Sequence, residues 1–212
     1  MQHKSQRIIT GLSLASGALL ALYYQQIAII AIGSFLAATY DAYYMNYMLN
    51  VNIITCSTIA IIIYTMTIYF VKFYYYDSKL TILICFVCQS SDVYQYAAGS
   101  FCGNNKIGYV SKNKSYEGYV IGFIMTMITY IPIMYVLNLN LLIIINNTLF
   151  NCIINCIIMY FLGILGGLIS SLTKRIINIK DYSNLLGSHG GWVDRIDSIA
   201  LPILFYYAKL NI

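Results

Sequence analysis

Residues 180–197 read KDYSNLLGSHGGWVDRID and hold Asp181, Asp194 and Asp197, three of only seven acidic residues in a chain of 212. Lys174 and Arg175 lie just upstream, and Lys180, Arg195, His189 and the pair Gly190-Gly191 fall within the stretch. If a helix starts near residue 192, Asp194 and Asp197 stand at i and i+3 and share a face. Two carboxylates that close repel unless a cation lies between them. A divalent metal answers that repulsion, and hard oxygen ligands suit Mg²⁺, with substrate phosphates completing its shell. Two glycines before a helix start let backbone N–H groups approach an anion. Lys174, Arg175, Lys180 and Arg195 add four cationic groups. These residue types fit phosphoryl or nucleotidyl transfer, and they equally fit a structural network of salt bridges. Histidine side chains as a class titrate near neutrality, and His189 reads as a general base, a phosphate donor or a turn residue, with binding or structure favoured.

These groups sit in a chain that is 60% hydrophobic and 9% charged. Soluble domains carry about 25% charged residues. The composition therefore predicts an all-α polytopic membrane protein. Apolar runs cover 8–24, 27–43, 51–71, 80–102, 119–137, 147–172 and 198–211. Each must satisfy its own backbone in lipid and is expected to be a helix, giving about seven transmembrane helices. A loop or re-entrant turn is expected near Asn138–Asn147. The basic-then-apolar N-terminus reads as an uncleaved first span.

With the N-terminus inside, both polar loops, 103–118 and 173–197, fall on the cytoplasmic face. Lys4, Arg7, Lys106, Lys112, Lys114, Lys174, Arg175, Lys180 and Arg195 are then inside, against Lys72, Lys79 and Lys209 outside, in agreement with the positive-inside rule. The net charge of +5 suits an anionic membrane face or substrate. No basic stripe interleaved with aromatics points to nucleic acid. Cys85 and Cys88 have CxxC spacing, but no second pair or histidine follows at zinc-ligand distance. Gly118 and Gly122 form a GxxxG, and Gly163, Gly166 and Gly167 cluster further on; helix packing is the expected role.

The segment from Ser171 to Asp197 resembles the signature of the phosphatidate cytidylyltransferases, or CDP-diacylglycerol synthases. Ser171, Lys174, Arg175, Lys180, Asp181, Ser183, Leu186, Gly187, His189, Gly190, Gly191, Asp194, Arg195, Ile196 and Asp197 fall at that pattern's offsets. SSDVYQYAAG, with Asp92, is similar to the family's acid-bearing membrane helix. SKNKSYEG, with Ser111, Lys114, Ser115, Glu117 and Gly118, is similar to its substrate loop. Many bacterial members carry an aspartate where this chain has Gly167.

The resemblance implies a single transmembrane cytidylyltransferase domain over 1–212, with divergent spans over 1–90 and a catalytic part over 91–212. It implies transfer of CMP from CTP to phosphatidate, giving CDP-diacylglycerol and pyrophosphate, with Mg²⁺ as cofactor. Asp194 and Asp197, with Asp181, are the expected metal ligands. Lys174, Arg175, Lys180 and His189 join them as catalytic candidates. Ser171, Gly190, Gly191, Arg195, Lys114, Ser115, Glu117 and Asp92 are the expected substrate-binding residues. The bilayer is the expected environment, bacterial inner membrane and eukaryotic endomembrane both fit, and a homodimer is allowed. Rival readings are a CTP-dependent enzyme acting on another lipid phosphate or alcohol such as a polyprenol, a transporter with a buried ion-pair site, and an inactive scaffold.

Overall fold

The computed structural model describes residues 27–108, 114–136, 148–187 and 190–210. Among them are six helices: α1 (Ile27–Tyr47), α2 (Ile53–Tyr76), α3 (Ser78–Cys102), α4 (Tyr116–Val136), α5 (Thr148–Ile176) and α6 (Val193–Lys209). The expected first span, 8–24, and the expected turn near Asn138–Asn147 lie outside the described residues.

Four of these helices, α1, α2, α4 and α5, are long and apolar enough to cross a membrane. Large apolar side chains point outward along them, with Ile29, Leu36 and Ile128 each more than 60% exposed. That outward apolar surface is what lipid, not water, would solvate. The other two fall short of a simple span for different reasons. α3 carries Gln89, Ser90, Ser91, Asp92 and Gln95 through its middle. α6 has 17 residues, under the roughly 20 a span needs. α5 has 29 residues, about 44 Å at 1.5 Å per residue, against a hydrocarbon core of about 30 Å. Its last turn, with Lys174 and Arg175, therefore has length to spare beyond the lipid.

The described residues form two compact units. The first comprises α1, α2 and the segment Thr173–Ile196. The second comprises residues Asp77–Leu172 and those from Asp197 onward. In the first, α1 packs along α2. The connection turns at Asn50, with φ of 53°, and Asn52 caps α2 by accepting a hydrogen bond from the Ile54 amide at 2.9 Å. The core of this unit joins Ala38 and Met45 of α1 to Cys56, Ile59 and Ile63 of α2. Ile179, Tyr182 and Val193 complete it, so the polar segment between α5 and α6 is anchored by its own apolar residues.

In the second unit, Asp77 caps α3 by accepting from the Leu80 amide at 2.9 Å. The GxxxG glycines bring α4 against α3. A Cβ at Gly118 would lie 2.7 Å from the Gln95 carbonyl, and one at Gly122 would lie 2.7 Å from Gln95 Cγ. Gly166 packs in the same way on the Asp197 carbonyl of α6. These glycines are close-approach positions, the role expected of small residues between helices in lipid.

Candidate functional site

In the first unit the signature segment begins where α5 ends. Asn178 adopts the left-handed conformation, φ 58°. Its amide donates to the Arg175 carbonyl at 3.2 Å, and the Ile179 amide donates to the Lys174 carbonyl at 2.9 Å. These two bonds form a Schellman termination. Arg175 reinforces it, donating from Nη1 to the Ile179 carbonyl at 3.2 Å. The helix thus stops one turn after Lys174, leaving that ammonium at its C-terminal end, where cations are favoured.

Lys174 Nζ donates to Asp194 Oδ1 at 2.5 Å, and the two side chains are 12% and 4% exposed. The other oxygen, Oδ2, accepts from the Tyr182 amide at 3.0 Å and the Gly191 amide at 2.9 Å. The Tyr182 ring also faces Lys174 Nζ, 5.3 Å from its centroid. A buried carboxylate needs such compensation, and here a cation and two backbone donors provide it.

Each glycine of the Gly-Gly pair makes room for a carboxylate. Gly190 has φ +80°, and a Cβ there would sit 2.8 Å from Asp194 Oδ2. A Cβ on Gly191 would sit 2.7 Å from Asp41 Oδ2 and 3.0 Å from the Ser183 amide. The expectation that these glycines bring backbone N–H groups to an anion thus meets an anion belonging to the protein: Gly191 donates to Asp194. The Gly190 amide is bonded to the Gly187 carbonyl at 3.2 Å.

Asp41, on α1, is a participant that sequence reasoning passed over. It is fully buried. Its Oδ1 accepts from Ser183 Oγ at 2.6 Å, and its Oδ2 accepts from the Val193 amide, the first of α6, at 3.0 Å. The available signal was an acid inside an otherwise apolar run, which marks a functional candidate by default.

Of the remaining signature residues in this unit, Lys180, Asp181 and Arg195 are exposed. The Cβ of Asp181 lies 3.4 Å from the position a Gly190 Cβ would take, so Asp181 and Asp194 flank the same glycine. His189 lies outside the described residues, as does Ser111. Among the described residues, no three His, Cys, Asp or Glu side chains converge as a ready-made cation site.

The second unit holds Asp92, Lys114, Ser115, Glu117, Ser171 and Asp197. Lys114 Nζ pairs with Asp92 Oδ1 at 3.2 Å, with side chains 30% and 38% exposed. It also stands 5.5 Å from the centroid of the Tyr119 ring. Burial pulls the Lys114 ammonium down, but Asp92, Tyr119 and Asp197 outweigh it, so its pKa is raised. Lys114 Nζ also lies 3.8 Å from where a Cβ at Gly167 would be. The ammonium therefore stands beside Gly167, where the resemblance leads to the expectation of an aspartate in many bacterial members.

Ser115 and Glu117 hold the loop that presents Lys114. Ser115 Oγ accepts from the Gly118 amide at 3.1 Å, capping α4. Glu117 accepts from the Asn105 amide at 3.0 Å and from Asn105 Nδ2 at 2.7 Å. Lys106 and Ser115 form an antiparallel bridge. Ser171 on α5 and Asp197 on α6 are partly exposed.

Residues 8–212 match the Cytidylyltransferase family, and the chain belongs to that family. It is 33% identical over 134 residues to the uncharacterized protein YnbB of Escherichia coli (strain K12), covering 61% of this chain and 42% of that protein. A phosphatidate cytidylyltransferase of Staphylococcus saprophyticus is 33% identical over 117 residues, covering 54% of this chain and 43% of the relative. A phosphatidate cytidylyltransferase of Rickettsia bellii is 29% identical over 216 residues, covering 94% of this chain and 88% of the relative. The chain thus matches under half the length of the first two and nearly the whole of the third.

Proposed function

We propose that this protein is a phosphatidate cytidylyltransferase, a nucleotidyltransferase that moves CMP from CTP to phosphatidate in phospholipid synthesis. Family membership and the similarity to phosphatidate cytidylyltransferases of Staphylococcus and Rickettsia support the assignment. The single observation that carries it furthest is the Lys174–Asp194 pair, held by the Tyr182 and Gly191 amides inside the family's signature. Such a fixed, desolvated charge pair at the end of a long apolar helix suits a reaction between a lipid phosphate and a soluble nucleotide.

The chemistry asks for positioning and charge neutralisation more than for a strong base. A phosphatidate oxygen attacks the α-phosphorus of CTP. The new O–P bond forms as the bond to the bridging oxygen breaks, and pyrophosphate leaves with that electron pair. Lys180 and Arg195, exposed beside the segment, would draw the nucleotide phosphates. Lys174 and Arg175 would neutralise charge nearer the helix end. In the second unit Lys114 would bind a phosphate group, with Ser115, Glu117, Asp92 and Ser171 supporting it. His189 would bind a phosphate or shape the loop.

Mg²⁺ binds through one or two carboxylates and keeps much of its shell for water and phosphates, so it would suit carboxylates that meet substrate phosphates. Asp194, Asp197 and Asp181 are the residues that would hold it. Asp181 is exposed, and Asp194 Oδ1 accepts from Lys174. When bound, the ion would screen the repulsion between two phosphate groups. The site would face the cytoplasm, where CTP is found.

The test is a panel of lipid acceptors offered with cytidine-labelled CTP to the detergent-purified protein. Label passing into lipid with phosphatidate, and not with polyprenyl phosphate or polyprenol, supports the assignment. Labelling of a polyprenyl acceptor alone would replace it with the related enzyme. Chelation with EDTA should stop turnover and added Mg²⁺ should restore it.

A further inference from the structure

Asp41 belongs to no part of the signature, yet Ser183 and Val193, which bond its carboxylate, lie within that segment. Ser183 and Val193 lie 142 and 152 residues away in sequence. The preceding residue, Tyr40, donates from its hydroxyl to Asn184 Oδ1 at 3.2 Å. One turn of α1 therefore grips the segment at 183–184 and again at the first amide of α6. Gly191 lies between these grips, and its missing Cβ is what lets the Asp41 carboxylate lie against the backbone.

The residue type follows from the task. A hydroxyl and a backbone N–H approach the two oxygens of one side chain, and an ionised carboxylate is an acceptor at both. Negative charge is favoured where α6 begins. The next residue after Val193 is Asp194, whose carboxylate carries Lys174 and the Tyr182 and Gly191 amides. Any shift of the Val193 amide moves Asp194 with it.

We propose that Asp41 is a positioning residue for cytidylyl transfer: by tying Ser183 and the start of α6 to α1, it fixes where the Asp194–Lys174 pair stands. This rests on the function proposed above. It assigns a role to an apolar helix outside the signature, in the part of the chain expected to diverge among relatives.

The test uses the full chain in detergent with Asp41→Ala, Asp41→Asn and Ser183→Ala. It reads hydrogen–deuterium exchange alongside steady-state kinetics. Asp41→Ala should raise amide exchange across 179–194 about tenfold while α3 and α4 exchange as in the wild type. It should lower kcat about 100-fold and change KM for CTP less than about threefold. Asp41→Asn keeps an acceptor for the Val193 amide and can donate to Ser183 Oγ, so it should stay within about tenfold of the wild type. Ser183→Ala should show a weaker form of the Asp41→Ala effect.

Wild-type exchange and kcat in Asp41→Ala would overturn the proposal. So would an Asp41→Asn variant as inactive as Asp41→Ala with its segment still protected, because charge and not tethering would then be at work. If Asp41→Ala is not recovered folded, Ser183→Ala decides, and unchanged exchange there overturns the proposal. A wild-type protein with no CTP turnover would defeat the functional assignment, whereas exchange would still show whether Asp41 holds the segment.

Discussion

Among the described residues each unit holds one lysine–aspartate pair, and the two pairs are built differently. Lys174 and Asp194 stand 2.5 Å apart with side chains 12% and 4% exposed. Two backbone amides also commit the carboxylate. Lys114 and Asp92 stand 3.2 Å apart with side chains 30% and 38% exposed, and the lysine comes from a loop held by Ser115 and Glu117. The first pair is part of the architecture of its segment. The second is open to water and can exchange one partner for another. Under the proposed function these would be complementary devices, a fixed reference charge and a more exposed cation.

The largest effect should come from breaking the fixed pair. Asp194→Asn leaves Lys174 buried without its counter-charge. It should cost about 3 kcal/mol of stability and lower turnover by about 10³-fold or more. Detergent-state denaturation together with a turnover assay measures both. Full activity in the folded variant would remove Asp194 from the chemistry. A double-mutant cycle between Lys174→Ala and Asp194→Ala should give a coupling of about 1–3 kcal/mol, and a value near zero would make the two pairs alike.

Adding a methyl group to either glycine should come next. Gly190→Ala meets Asp194 at a position with positive φ, and Gly191→Ala meets Asp41 and Ser183. Each should destabilise by about 1–3 kcal/mol, read as a lowered thermal midpoint. A larger loss of turnover than of folded fraction is expected, because both carboxylates move.

The open pair should respond weakly. Asp92→Asn should change stability by about 1 kcal/mol or less. Its pH dependence has a definite sign. The Lys114 pKa is raised on folding, so the lysine's contribution is fully present below the unfolded value of about 10.4. It is lost only as pH rises through the higher folded value. The stability difference attributable to Lys114 should therefore be flat from pH 7 to 9 and shrink above about pH 10.5. Loss below pH 9 would contradict the pairing.

The smallest effect should be Gly167→Asp. A Cβ there meets only Lys114 Nζ, at 3.8 Å, so the new carboxylate gains a cation and displaces nothing. Stability should stay within about 1 kcal/mol, and tighter Mg²⁺ dependence of turnover would show the added acid joining the site.

Much of this was legible from residue order. Apolar runs marked the helices because lipid leaves the backbone no other solution, and α1, α2 and α5 begin and end within a few residues of their runs. The signature located Lys174, Asp194 and the glycines. Their partners were not legible. An acid in an apolar run marks Asp41 as a candidate, but its role lies in atoms 142 and 152 positions away. The glycines read as donors to a ligand, yet they make room for carboxylates of the chain itself. Ser115 and Glu117 read as substrate contacts, and the structure gives them capping and loop-holding bonds.

The most direct measurement is product formation by the purified wild-type protein from CTP, phosphatidate and Mg²⁺. A phosphatidate cytidylyltransferase should form equal amounts of CDP-diacylglycerol and pyrophosphate, and neither when phosphatidate is omitted. A helical, monodisperse protein that makes neither under these conditions would contradict the proposed function.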